Sequence, residues 1–471
     1  MSPQAQLALI LWLPVVFYIF NQFPPRKAAI VSFIAGFLFL PRKAGFKMPL
    51  IPDYKEIFAT CYGILIAVAV YDSKVFRRLR FSWVDLPVLV YGFSPIFSSL
   101  TNGLGLYDGI NSSISQLFQW GLPYFIGRLY LNNPSGFREL AISIVKGGLL
   151  YVPLCLYEIR MSPQLHRIVY GYFPHSFLQT KRLGGWRPQV FLQHGLMLGV
   201  FMMTATLVAI WLWQSKSVKK IWNIPISWVC AILLVTFILC KSTGAYILFL
   251  LGLICLFFPR FISFNLPLPL LVYSGIIVLY LTLSASGNFP KEKLLDLLYN
   301  QTIIEPDRVQ SFEFRINNEE ILATKARERW LFGWGGWGRN RVFEENYLGE
   351  WVDVTVTDSL WIIVFGVNGL LGLASVMALL ILPVLLITCF RFPPNTWLHP
   401  RISPTISLAV SLLLFAIDCL VNNMFNPIFP LISGGLSALF LSPSYPSSSS
   451  SRRLLIANYK ATKKRLHSFS Q

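Results

Sequence analysis

Apolar residues run along this chain in long blocks rather than in alternation. The blocks cover roughly 4–21, 26–41, 56–72, 83–100, 112–131, 139–158, 188–213, 224–240, 243–260, 267–284, 358–389, 404–423 and 428–443. A helix crosses a bilayer with about 17–25 residues. The pattern therefore predicts an all-α, polytopic helical membrane protein with about 12–13 transmembrane helices. A membrane β-barrel would instead show alternating segments of about 10 residues. The second block is short. The eleventh is long for one crossing, so its first turns are expected to project beyond the membrane.

The polar remainder divides the chain. Residues 1–284 read as a transmembrane bundle of ten spans, and 285–357 as one large loop with short amphipathic helices. Residues 358–443 read as spans eleven to thirteen, and 444–471 as a basic tail behind a Ser/Pro linker, expected to be disordered on the anionic inner leaflet. The loop holds more than half of the chain's 21 acidic residues. Its stretch "SFEFRINNEEILATKARERW" (311–330) predicts an amphipathic helix with Phe312, Ile316, Ala323, Ala326 and Trp330 near one face. The glycine-rich turn "GWGGWGRN" (333–340) follows.

Composition agrees with the membrane class. Hydrophobic residues make up 55% and charged residues 13%, against roughly 25% charged in soluble domains. Mean hydropathy is +0.57. The net charge of +19 comes without a nucleic-acid-binding module, and no nucleic-acid partner is expected. Basic residues cluster in "SKVFRRLR" (73–80), in "QSKSVKK" (214–220) and in the tail from Arg452 to Arg465. The span count puts all three on one side, expected to be cytoplasmic. The basic loop "PRKAGFKMPLIPDYK" (41–55) falls on the other side, against that bias. Met1 to Phe20 lacks a basic n-region and reads as a first span rather than a cleavable signal. The seven cysteines form no CxxC, so neither a zinc site nor a disulfide framework is indicated.

Candidate chemistry gathers on the side opposite the basic clusters. In "RLGGWRPQVFLQHG" (182–195), Pro188 suits the first turn of a helix, with Arg187 at the membrane surface and Arg182 in the preceding loop. His194 would then lie two turns deeper on nearly the same face as Arg187. These arginines could snorkel to headgroups, or form an anion site, since a guanidinium grips phosphate through a planar, permanently charged fork. Lys241, in the turn "LCKSTGAYI", could add a phosphate contact or be a plain polar hairpin. Arg315, Arg327, Arg329, Arg339 and Arg341 lie in or beside the loop helix, where most would pair with Glu319, Glu320 or Glu328 at helical spacing. Asp358 opens the eleventh span, as N-cap or as general base. Asp418 is an acid inside an apolar run. Trp334 and Trp337 could stack on sugars or anchor at the interface.

The ordered set "RLGGWRPQVFLQHGL", "KSTGAYI", "FEFRINNEEI…WLFGWGGWGR" and "TDSLWIIVFGVNGLLGL" resembles the O-antigen ligase family, which includes O-antigen and exopolysaccharide polymerases. The resemblance covers roughly residues 180–430. It implies a GT-C-like bundle in the bacterial inner membrane, with its active site facing the periplasm. The implied reaction moves a glycan from undecaprenyl pyrophosphate to an acceptor sugar hydroxyl, without an essential metal or other cofactor. The implied partners are the lipid-linked donor, the glycan acceptor and membrane lipid, with a chain-length regulator or export machinery as further candidates. Arg182 and Arg315 match the two arginines that contact pyrophosphate in family ligases. Those ligases carry a histidine where this chain has Asp358, which favours a polymerase or a divergent transferase over a lipid A-core ligase. Asp358 is the first candidate base and His194 the second. A transporter of polysaccharide precursors is the competing expectation, and would more often show repeated halves with broken helices.

Overall fold

The computed structural model describes residues 2–47, 53–260, 266–299 and 306–443. The basic tail, 444–471, lies outside the described residues, as does the side chain of Phe312. The described residues up to Phe440 form one compact unit.

The described elements are helical apart from four two-stranded hairpins. In order they are α1 (Pro3–Gln22), α2 (Pro25–Phe39), α3 (Glu56–Tyr71), α4 (Leu86–Thr101), α5 (Leu106–Gln116), α6 (Leu122–Tyr130), α7 (Pro134–Met161), α8 (Leu165–Tyr170), α9 (Gly195–Gln214), α10 (Ile226–Leu239), α11 (Thr243–Phe257), α12 (Leu268–Ser286), α13 (Lys291–Tyr299), α14 (Pro306–Arg327), α15 (Leu360–Leu385), α16 (Ser403–Asp418) and α17 (Ile428–Leu441). A π turn, Leu117–Gly121, joins α5 to α6. The hairpins are β1–β2 (Gly45–Phe46, Tyr54–Lys55), β3–β4 (Lys181–Arg182, Gly185–Trp186), β5–β6 (Lys220–Ile221, Ile224–Pro225) and β7–β8 (Phe343–Glu345, Trp351–Asp353). Among the described residues, six helical segments are long and apolar enough to cross a membrane, and five shorter apolar helices accompany them. This is an all-α, helical membrane protein. Each of the thirteen apolar blocks falls on a helix or, at 112–131, on the α5–π–α6 run.

The core is built around α9, which is apolar all round and packs on α7, α10, α11 and α16. Close crossings use small residues, as in other membrane helices. A Cβ on Gly127 would lie 2.0 Å from the Leu431 carbonyl oxygen, and one on Gly434 would lie 1.9 Å from that of Tyr124. The α6–α17 contact therefore depends on both glycines.

Side-chain contacts sort the helix ends. At one end, Ser215 after α9 bonds Ser403 at the start of α16 (2.6 Å), and Arg138 early in α7 donates to the Ser217 carbonyl (3.4 Å). Arg26 at the start of α2 pairs with Glu139 (2.7 Å), and Arg128 donates to the Arg80 carbonyl (2.7 Å) while pairing with Asp85 (3.0 Å). "SKVFRRLR" and "QSKSVKK" thus share this end. At the other end, Glu158 in the last turn of α7 accepts from the amides of Gln189 (2.8 Å) and Val190 (2.7 Å), just before α9. There Arg187 reaches Ser242 before α11 (3.4 Å), and the Leu360 amide at the head of α15 donates to the Cys419 carbonyl at the foot of α16 (3.1 Å).

Two elements differ from expectation. α9 begins at Gly195, not near Pro188, because Glu158 captures the amides of Gln189 and Val190 and Val190 sits at φ 56°. The eleventh span is one helix interrupted at Gly369 (φ 65°, ψ −164°), a backbone conformation essentially confined to glycine. The glycine-rich turn fills the break. Amides of Trp334 and Gly335 donate to the carbonyls of Gly366 (2.8 Å) and Val367 (3.0 Å), while those of Leu370 and Leu371 donate to Trp330 (2.7 Å) and Leu331 (3.2 Å). Irregular backbone at membrane depth needs such protein partners. The predicted loop is therefore woven into the helix that follows it. Ile316, Ala323 and Ala326 are buried on α14 as expected, but α14 ends at Arg327 and Trp330 is exposed.

Candidate functional site

Arg182 and Arg187 are set by a two-residue hairpin. Arg182 pairs with Gly185 in register, and Leu183 (φ 47°) and Gly184 (φ 66°) form the turn. Positive φ at both central positions gives a type I′ turn. The Arg187 amide closes the hairpin on the Thr180 carbonyl (2.7 Å), and Lys241 Nζ on the facing turn donates to the Leu183 carbonyl (3.2 Å).

Arg187 then enters the protein. It is 5% exposed and, among the described residues, its Nε has no partner and its side chain bonds only Ser242 Oγ, at 3.4 Å. No carboxylate pairs with it among the described residues. Burial and then the charge of Arg182 lower its pKa to about 10. His194 caps α9, its Nδ1 accepting from the Leu196 amide (3.0 Å). That bond makes the neutral ring an Nε2–H donor. Burial, then Arg187, His175, Arg182 and Lys43, bring its pKa to about 3. His175 packs edge-on against it, with ring centroids 4.7 Å apart. Burial and Lys43 lower the pKa of His175 too. So Arg182, Arg187, His194 and Lys241 come together, with Lys43, His175 and Ser242 added to them. The basic loop that ran against the charge bias contributes Lys43 to this cluster. It also contributes Arg42, which is buried and bonded to Glu56 (3.3 Å).

A second group forms where α14 meets α15. Arg315 Nε faces the Asp358 carboxylate at 3.8 Å, both half-exposed. One turn on, Glu319 accepts from Ser359 Oγ and Tyr280 OH, each at 2.6 Å. Burial raises the Glu319 pKa, opposed by the bond from Ser359 first and then that from Tyr280. Ser359, not Asp358, occupies the N-cap position of α15. Glu319 looked like an ordinary helix-pairing acid. Its only sequence signal is its place four residues after Arg315.

Arg339, Trp334 and Trp337 belong to neither group. Trp334 Nε1 donates to the Lys325 carbonyl (2.8 Å), and Lys325 Nζ lies 4.0 Å from its ring centroid, so one ring face is occupied. Trp337 is exposed with Arg341 over its ring at 5.3 Å, and Arg339 is exposed. Asp418 is buried and accepts from Asn422 Nδ2 (2.7 Å). Between α12 and α15 runs an apolar groove of about 870 Å³, with Arg327 and Trp330 among its lining residues.

Both charged groups lie at the end of the bundle opposite "SKVFRRLR" and "QSKSVKK". Ser215 after α9 meets Ser403 at the start of α16, and the foot of α16 meets the head of α15. Arg187, beside the head of α9, and Asp358, before the head of α15, therefore share this end. Comparison with known proteins finds no family model that matches the chain and no curated protein that matches it.

Proposed function

We propose that this chain is a membrane glycan transferase, a polymerase or ligase of surface polysaccharide. It would move a saccharide from undecaprenyl pyrophosphate to an acceptor hydroxyl at the periplasmic face of the bacterial inner membrane. The observation that carries the reading is Arg187: a buried guanidinium without a counter-ion among the described residues, beside three further cations. Leaving one charge buried and unpaired costs several kcal/mol. An anion 4 Å away returns about 4 kcal/mol per charge pair at an effective dielectric of 20. A diphosphate bears enough charge to make the cluster favourable. The positive-inside bias puts the basic end in the cytoplasm and this cluster outside.

The chemistry follows. The bond between the anomeric carbon and the pyrophosphate oxygen breaks, and the leaving oxygen keeps the electron pair. Preorganised cations stabilise that charge, with His194 Nε2–H as a neutral donor beside them. The acceptor oxygen bonds to the anomeric carbon and its proton passes to a carboxylate. Asp358 is the candidate, because it is half-exposed and oriented by Arg315. Glu319 is a positioning residue that ties α14 to Ser359 and Tyr280. His194 is disfavoured as the base by its low basicity and its committed Nδ1. The apolar groove between α12 and α15 suits a polyisoprenyl chain. A GT-C-like bundle and a single inverting displacement complete the reading, and a retained anomer in the product, seen by NMR, would reject the inversion.

A precursor transporter is the second reading, favoured by the break at Gly369. Against it, four backbone bonds clamp that break shut. Purified protein in detergent, given lipid-linked oligosaccharide, separates the two: release of undecaprenyl pyrophosphate with a longer glycan identifies the transferase.

A further inference from the structure

α5 carries a polar stripe that the reaction above does not use. Tyr107, Asn111, Ser115 and Gln119 recur every four residues, on one face of the run formed by α5 and the π turn. At about 1.5 Å per residue the stripe is about 18 Å long. It borders a cavity of about 450 Å³, walled on its other sides by Arg42, Glu56, Gln193 and Phe425 among others. Small-molecule sites fall between about 300 and 1,000 Å³. None of Tyr107, Asn111, Ser115, Gln119 or Gln193 uses its side chain in a hydrogen bond to another described residue. Gln116, one step off the stripe, is by contrast tied to the Tyr91 carbonyl and to Ser94 Oγ on α4.

The wall chemistry narrows the ligand. Three carboxamides, a hydroxyl and a phenol both donate and accept, as sugar hydroxyls do. The charged groups balance: Arg42 pairs with Glu56 at 3.3 Å and Lys55 with Asp53 at 3.7 Å. A phosphate would find no net charge there. The rings of Tyr107 and Phe425 add apolar surface. Two chain steps connect the cavity to the cationic cluster: Gln193 precedes His194, and Arg42 precedes Lys43. A ligand with a neutral, hydroxyl-rich part joined to an anion matches this juxtaposition.

We propose that the cavity beside α5 is a saccharide subsite holding the sugar residues next to the diphosphate cluster. The identity of the sugar-bearing ligand rests on the transferase reading, and donor and acceptor glycans share the required chemistry.

The test titrates purified full-length protein in detergent with oligosaccharide released by mild acid from the host's lipid-linked intermediates. Saturation-transfer NMR reads binding. The wild type binds. The double variant Asn111→Ala/Gln119→Ala and the cavity-filling Ser115→Phe each weaken binding about tenfold or more with unchanged melting temperature. Arg187→Ala keeps binding of the free oligosaccharide. In turnover, a KM rise confined to the donor assigns the cavity to the donor glycan, and one confined to the acceptor assigns it to the acceptor. Absence of wild-type binding, or unchanged binding in both folded variants, overturns the subsite even where the wild type transfers glycan. Cavity-dependent binding by a protein that never releases undecaprenyl pyrophosphate upholds the subsite and overturns the transferase reading.

Discussion

The side chain of Arg187 lies across the α-carbon of Gly195: a Cβ at 195 would stand 2.4 Å from Arg187 Cδ and 3.0 Å from its Nε. The first residue of α9 therefore holds the buried guanidinium in place by lacking a side chain. Gly195→Ala is expected to lower the melting temperature modestly while leaving the protein folded, because Cγ and Cδ, which must give way, are the buried stem of Arg187 rather than its free end. The displaced guanidinium should nevertheless reduce glycan transfer about tenfold or more, equivalent to about 1.4 kcal/mol. Transfer rate and thermal melting of the same preparation check this.

His194 is held neutral. With a folded pKa of about 3 against an unfolded value near 6.5, its contribution to stability is complete above pH 6.5 and is lost as pH falls towards 3. A histidine base would give the rate profile an inflection near its own pKa. Transfer is therefore expected to show no inflection near pH 6.5 that His194→Asn removes. Asparagine keeps the N-cap, whereas His194→Ala should cost about 1 kcal/mol of stability.

Glu319 carries the opposite sign. Burial lifts its pKa above the ordinary carboxylate value, so the stability it contributes is present at low pH and is lost as pH rises through the folded pKa. Glu319→Gln is expected to melt relatively higher than wild type at pH 8 than at pH 5. A melting series in detergent across that range measures the difference, and a pH-independent difference would count against it.

Gly369 should tolerate no side chain. A Cβ there would lie 2.4 Å from the Leu331 carbonyl, at a φ of 65°. Gly369→Ala is expected to cost about 1–3 kcal/mol or more in strain and to open the turn at 330–335. Lowered melting temperature and faster amide exchange at Trp334 and Gly335 check this.

Apolar block length located the helices, and six of the described segments are long and apolar enough to cross a membrane, fewer than the roughly 12–13 expected. The polar corners were harder. Arg182, Arg187 and His194 stand out as costly residues at an apolar boundary and Lys241 only as part of a polar turn, and the four do meet. Their geometry depends on Glu158, a distant acid whose bonds to two backbone amides delay the helix start, and nothing local announces that. Glu319 hid because a carboxylate among lysines and arginines on an amphipathic helix reads as a solvated pair. Gly369 hid because its neighbours are uniformly apolar, and the turn that fills the break comes from thirty-odd residues earlier.

The central claim, that the cations around Arg187 hold a diphosphate, is tested most directly by binding of undecaprenyl pyrophosphate to purified protein in detergent, followed by phosphorus NMR. Wild type should bind, and folded Arg187→Gln should bind about tenfold more weakly or worse. Equal binding by the two proteins would contradict it.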